Sequence, residues 1–208
     1  VVDWQESHKL LKVNFPVAVH ANEAVHEIQF GHIRRPNHAS RPFDADRFEV
    51  ANQKWTALLE ENHGCAVLND CKYGHDIQDK TPDGGKIRLT LLRSSTDPDP
   101  EADQGEHEFR YSLLPHAGRW GRETVRQAYA LNDPLRIYAT ELVLSDAAPT
   151  GLASLVAVAA PNVVIETVKL AEDGNGLIVR LYECMRQRGD VMLEVGMDVT
   201  AVYTTNLL

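Results

Sequence analysis

The feature that most limits what this chain can fold into is a period of two. In "LKVNFPVAVH" the residues Leu11, Val13, Phe15, Val17 and Val19 are apolar, while Lys12, Asn14 and His20 fall on the other side. Successive strand side chains point to opposite faces, so this pattern marks a strand with one buried face. Pro16 has no N–H to give a neighbour, which predicts a sheet edge or a bulge there. Alternation returns in "AVHEIQF" (Ala24, Ile28, Phe30), "KIRLTLL" (Ile87, Leu89, Leu91) and "HEFRYSLL" (Phe109, Tyr111, Leu113). Further on, "NVVIETVKL" and "GLIVRLYEC" flank "AEDGNG", whose Gly174, Asn175 and Gly176 offer the positive φ a hairpin turn needs.

The period changes in "RETVRQAYALNDP". Arg122, Val125, Ala128 and Tyr129 stand at three- and four-residue spacings and Asn132 to Pro134 make a stop, so a short helix is expected. "RFEVANQKWTALL" fits either a second short helix or two strands, and Phe48, Val50 and Trp55 do not decide between them. Roughly ten strands with one or two short helices predict an all-β, antiparallel, two-sheet fold. A chain of 208 residues buries roughly 70% of its unfolded surface, and no repeat or long linker interrupts it, so one domain over residues 1–208 is expected.

Lys and Arg number 21 against 30 Asp and Glu, a formal charge of −9, so the sequence carries no basic footprint for nucleic acid or an anionic membrane. Cys65, Cys71 and Cys184 form no C-x-x-C pair, and their odd count points to a reducing compartment. "VVDWQESHKL" lacks a basic stretch followed by an apolar one, and no eighteen apolar residues run together; neither a signal peptide nor a membrane span is expected in this stretch.

Several strings invite chemistry. Asp97, Asp99, Glu101, Asp103, Glu106 and Glu108 imitate a calcium loop, but Ala102 stands where the sharp turn needs Gly, and Pro98 and Pro100 stiffen the backbone; a solvated acidic loop is expected. His20, His26, His32 and His38 recur every six residues, yet Gly31 and Pro36 interrupt them, so ordinary strand and loop histidines are expected rather than a metal site. No G-x-S-x-G, P-loop or G-x-G-x-x-G string is present, and neither Cys65 nor Cys71 follows a helix start that would activate a thiol. A two-carboxylate glycosidase is compatible with the composition, although nothing local pairs the carboxylates. In "VLNDCKYG", residues 67–74, Asn69 and Asp70 can form side-chain turns and Gly74 can take positive φ, as a hairpin corner requires. The same string could meet a sugar, with Tyr73 stacking on a ring face and Asp70 or Lys72 bonding hydroxyls.

The strings "DWQESHKLLKVNFPV", "HEIQFGHIRRP", "FEVANQKW", "VLNDCKYGHD", "RLTLLRS", "DPEADQGEHEFRYSLLPHAG" and "AYALNDPL", in this order over most of residues 3–135, resemble the C-terminal region of glycoside hydrolase family 38, the α-mannosidases. "NDCKYG" is typical of the cytosolic and bacterial branch, and "IETVKLAEDGNGLIVRLYE" extends the likeness. The resemblance implies a large antiparallel β-sandwich of the galactose mutarotase-like supersandwich kind, a fragment of a retaining enzyme that removes α-linked mannose. It places the nucleophile, the acid/base residue and the zinc ion in an N-terminal catalytic domain, with no catalytic residue and no metal ligand in this chain. The implied partners are that catalytic domain of the same polypeptide and mannose-containing oligosaccharides, in the cytoplasm; the oligomeric state, homo-oligomer included, stays open.

Arg88, in "RLTLL", is the residue the resemblance carries to the rim of the mannose site, where a guanidinium can hold a carboxylate or sugar hydroxyls. An Arg in an alternating strand can equally face solvent. Asn69, Asp70 and Tyr73 are the further sugar-contact candidates, the alternative being a corner packed on the catalytic domain. A free-standing carbohydrate-binding sandwich is the competing reading and would need an aromatic platform built from Trp4, Trp55, Trp120 or the tyrosines. A small mutarotase-like enzyme would need a His and a carboxylate converging in a cleft.

Overall fold

A computed structural model of the protein describes residues 1–81, 84–137 and 154–206. In chain order the strands are β1 (Val2–Trp4), β2 (Leu11–Val17), β3 (Glu23–Ile28), β4 (Gly31–Pro36), β5 (Val50–Ala51), β6 (Trp55–Leu59), β7 (His63–Asn69), β8 (Gly74–Thr81), β9 (Gly84–Leu92), β10 (Gly105–His107) and β11 (Tyr111–Ala117). Helix α1 (Arg122–Asn132) follows, then β12 (Val156–Val158), β13 (Val163–Leu170), β14 (Leu177–Glu183) and β15 (Leu193–Val195). Every pairing among these strands is antiparallel. The residues fall into two compact units, 1–135 and 136–208.

The first unit holds a five-stranded sheet in the order β11-β7-β6-β3-β4 and a four-stranded sheet in the order β2-β9-β8-β5, with β1 and β10 as a separate pair. One face of the five-stranded sheet supplies Ala24, Leu58, Cys65 and Val67 to a core shared with Val17, Val19 and Ile87. The other face packs Val25, Trp55, Ala57, Ala66 and Leu68 against Ala128 of α1 and Trp120 before it. A sheet buried on both faces has no polar side to show. That is why β3, β6 and β7 are nearly all buried residue after residue, where the alternation in "AVHEIQF" predicts one buried face.

Other expectations meet the structure at specific residues. Phe30 is not a strand residue: it sits in the two-residue turn between β3 and β4 with φ 54° and is 53% exposed. β2 is an edge strand with a bulge between Leu11 and Lys12, as Pro16 requires. "RFEVANQKWTALL" forms two strands, β5 and β6. The strand in "HEFRYSLL" begins only at Tyr111, after Phe109; β11 is an edge strand, Tyr111 and Leu113 stay exposed, and Leu114 turns to the core instead. α1 spans the expected residues and buries Thr124, Val125 and Ala128.

The string at 69–74 is not a hairpin corner. β7 belongs to the five-stranded sheet and β8 to the four-stranded one, so the chain here crosses from one sheet to the other. Nor does Gly74 take positive φ. A Cβ built on it would stand 2.8 Å from Glu49 Oε1, so a larger residue there would displace the Glu49 carboxylate.

In the second unit β13 and β14 form the expected hairpin, with a bulge between Ile165 and Thr167. Gly174 (φ 74°) and Gly176 (φ 115°) supply its left-handed positions, whereas Asn175 does not. β12 and β15 form a second two-stranded pair.

Candidate functional site

Arg88 lies on β9 directly opposite Asp76 on β8, and both project from the face of the four-stranded sheet that bears Lys12 and Thr90. Its Nε donates to Asp76 Oδ1 at 2.5 Å. With the Gln78 side-chain oxygen oriented toward it, Nη1 and Nη2 donate to that oxygen at 3.2 and 3.0 Å. Two of the five guanidinium N–H groups remain. Asp76 also accepts from Lys12 Nζ, which reaches Glu49 Oε1 at 3.2 Å, and Glu49 takes the hydroxyl of Thr90. Cross-strand neighbours of opposite charge thus hold Arg88 in one orientation. Its side chain keeps 32% of its surface open.

The corner candidates stand elsewhere. Asn69 is buried at the end of β7, where its side chain donates to Gln53 O (2.8 Å) and accepts from Lys72 N (2.9 Å). Its carbonyl accepts from Asn132 of α1 at 2.8 Å. Asp70 Oδ1 accepts from Arg110 N at 3.1 Å, and Lys72 Nζ lies 4.9 Å from the Phe109 ring centre. Loss of hydration and the neighbouring Asp70 push the Cys71 thiol up to about 11, which leaves it no thiolate at neutral pH. Tyr73 directs 56% of its surface to solvent. No hydrogen bond or ion pair joins Arg88 to Asn69, Asp70 or Tyr73 among the described residues.

A cleft of about 290 Å³ opens beside β8 beyond its short pairing with β5, and Arg88 forms part of its wall. Arg35, Asp44, Arg47, Asp76 and Gln78 also line it, and His26 and His75 line it from the two facing sheets. Asn52 Nδ2 donates to Thr56 Oγ1 at 2.7 Å; the hydroxyl can then donate to His26 Nδ1, 3.0 Å away, which leaves the His26 proton on Nε2. Burial, helped by Arg35 and His75, lowers the His26 pKa to about 3. Burial lowers that of His75 to about 4, against the pull of the Tyr73 backbone, Glu49 and Asp76. Burial alone would raise the Asp44 pKa, but bonds from Arg41 N, the Arg47 guanidinium and Ser40 N hold it below the usual range.

His26 and His32 face opposite sides of their sheet, since His26 pairs with Ile33 and His32 with Glu27. His32 meets Trp120 edge-on at 4.6 Å. In the acidic loop Asp103, at φ 63°, accepts from Arg93 N and Ser94 N, which hold its pKa low. Among the described residues no group of three or more His, Cys, Asp or Glu could hold a metal ion. Trp55 is buried, Trp120 packs on it at 4.8 Å, and Trp4 Nε1 bonds Ser94, so the tryptophans build no open platform. Sequence reasoning missed the cleft, because Arg35, Arg47 and His75 converge only through strand pairings that no local string encodes.

Two family models match this chain: "Glycosyl hydrolases family 38 C-terminal domain" over residues 1–101, and "Glycosyl hydrolases family 38 C-terminal beta sandwich domain" over 162–208. The chain is 42% identical over 211 residues to Alpha-mannosidase 2C1 of Homo sapiens, covering 100% of itself and 19% of that protein. It is 41% identical over 184 residues to Alpha-mannosidase G of Dictyostelium discoideum, covering 88% of itself and 16% of the relative. A solved glycosyl hydrolase family 38 protein from Enterococcus faecalis shares the fold, with TM-score 0.72 and 22% identity over 93% of this chain and 23% of that one. The chain thus spans about a fifth of the length of its curated relatives. With antiparallel strands and one α-helix among the described residues and matches to both models, the chain belongs to glycosyl hydrolase family 38, as its C-terminal β-sandwich region.

Proposed function

We propose that this chain is the non-catalytic C-terminal sandwich region, as one domain, of a retaining α-mannosidase that works on mannose-containing oligosaccharides in the cytoplasm. The observation that carries the reading is that curated relatives sharing about two fifths of its residues are α-mannosidases about five times its length. Its three free cysteines agree with a reducing compartment.

Retention needs two carboxyl groups about 5–5.5 Å apart across the scissile bond, one attacking and one donating the proton. The two carboxylates of the cleft are held by partners within the chain. Asp44 is taken by Ser40 N, Arg41 N and Arg47, and Asp76 by Lys12 and Arg88. On the likeness to family 38, the nucleophile and the acid/base residue are assigned to the catalytic domain of the parent, together with its zinc, which when bound supplies a template for sugar hydroxyls. The role of this chain is support. Apolar Val168, Leu170 and Leu181 on the β13–β14 hairpin are exposed and suit contact with another domain. Arg88, braced by Asp76 and Gln78, presents two N–H groups to a sugar hydroxyl or a catalytic carboxylate at the site rim. Tyr73 is the corner residue free to pack on sugar or catalytic domain, with Asn69 and Asp70 holding its turn.

The test is hydrolysis of a chromogenic α-mannoside by this chain and by the full-length parent, with zinc or cobalt added. Activity is expected only in the parent, and Arg88→Ala there should lower kcat/KM by about 10- to 100-fold. Turnover by the 208-residue chain alone would overturn the assignment.

A further inference from the structure

The cleft beside β8 has an excess of donors that the mannosidase reading does not use. Its acidic groups are saturated from within: Asp44 accepts from two backbone amides and Arg47, and Asp76 from Lys12 and Arg88. Its cations are paired unevenly: Arg47 with Asp44 and Arg88 with Asp76, but not Arg35. Arg35 forms no ion pair among the described residues; its guanidinium donates from Nη1 to Ala51 O at 2.9 Å. Partial burial and nearby Arg47 both disfavour its charge, and since Asp44 is taken by Arg47, Arg35 stands in the concavity beside a like charge with no carboxylate of its own. His75, 0% exposed in the same lining, meets the nearby Tyr73 backbone without a well-formed hydrogen bond at either ring nitrogen, and such a group calls for a water or ion to satisfy it. The Nε2–H of His26 and two N–H groups of Arg88 add further donors.

We propose that this cleft is a binding site for a small free oxyanion, a carboxylate or a phosphate, held chiefly by the Arg35 and Arg47 guanidinium groups above a floor of His26 and His75. Guanidinium forks match the paired oxygens of both anions, and a site walled by protein makes those bonds stronger than on an open surface. The volume, about 290 Å³, exceeds what one carboxyl group fills and suits a small organic acid or a phosphate ester. The chain as a whole is acidic, with formal charge −9, so long-range attraction does not gather anions here; recognition is local. The proposal requires Arg35 and Arg47 and stands whether or not Arg88 meets a sugar.

Isothermal titration of the chain with citrate and with inorganic phosphate, at constant ionic strength against a chloride blank, tests it. At least one of the two should bind saturably, with one site per chain. Arg35→Gln should weaken that binding at least tenfold, whereas Arg93→Gln, outside the cleft, should leave it unchanged. ¹⁵N spectra of the histidine side chains give a readout that does not depend on a variant folding: the His75 signals should move on adding the ligand. Absence of saturable binding, equal binding by Arg35→Gln, or an unmoved His75 would each overturn the site. Repeating the titration with the full-length parent separates the sources of the oxyanion. Binding retained there supports a free ligand; binding seen only in the shorter chain overturns it in favour of a carboxylate from the same polypeptide.

Discussion

His26 and His75 face one another from two sheets, both neutral, and this makes them sensors of acid. Their folded pKa values, about 3 and about 4, lie below the unfolded 6.5, so from pH 6.5 downward the unfolded chain binds protons the native state refuses. Stability should therefore fall as pH drops below 6.5, by on the order of 1 kcal/mol per pH unit for each histidine. Asp103, with its pKa held low by backbone N–H groups, contributes above 3.8 and is lost only at more acid pH; buried Glu27, raised above 4.5, works in the opposite sense just above that value. Urea unfolding midpoints at pH 7.5, 6.0 and 5.0 should decline, and His75→Gln should flatten the decline. Gly74 makes a second residue-scale case. Gly74→Ala should cost about 1–2 kcal/mol by pushing Glu49 off Thr90 and Lys12, and clearly less in a Glu49→Ala background, as a double-mutant cycle would measure. Arg88 was legible as a candidate because a family-like string contains it. Its partner Asp76 was not, since the pairing across β8 and β9 depends on register.

At the scale of elements, α1 decides how the five-stranded sheet reads. Its residues Val125 and Ala128 cover the face bearing Trp55 and Leu68, and Lys54 links the two layers, with Nζ 4.6 Å from the Tyr129 ring centre and 3.4 Å from buried Glu27. Ala128→Glu places a charge against that apolar face and should destabilise by about 3 kcal/mol or more, visible as a lower Tm. Glu123→Ala, on the exposed side, should change it by less than about 0.5 kcal/mol. Alternation therefore succeeded for β2, where Asn14 and Pro16 are exposed and Val17 is buried, and misread β3, whose two faces are both covered. It predicted the β13–β14 hairpin, because two glycines and two flanking strands are local information. The crossing at 69–74 looked like a hairpin for the same reason: the turn chemistry is local, and the sheet to which β8 goes is not.

At the scale of the whole molecule, the order of strands along the chain matters most. The four-stranded sheet takes β2, β5, β8 and β9, and the five-stranded sheet takes β3, β4, β6, β7 and β11. The chain visits the two in turn, leaving each before it is complete. Equilibrium unfolding of the first unit should accordingly be a single transition, with fluorescence of Trp55, at the five-stranded sheet, and circular dichroism giving coincident midpoints. Two separated midpoints would mean that one sheet survives without the other. The crossing at 69–74 has a consequence for synthesis. While a ribosome is still adding residues the two sheets stay incomplete for different lengths of chain: the last strand of one is Gly84–Leu92, and that of the other is Tyr111–Ala117. The hairpins β3–β4, β6–β7 and β8–β9 can pair as they emerge, but the five-stranded sheet lacks its edge strand until residue 117 is made, so a nascent chain of this design carries an unfinished, partly apolar sheet through most of the first unit's synthesis.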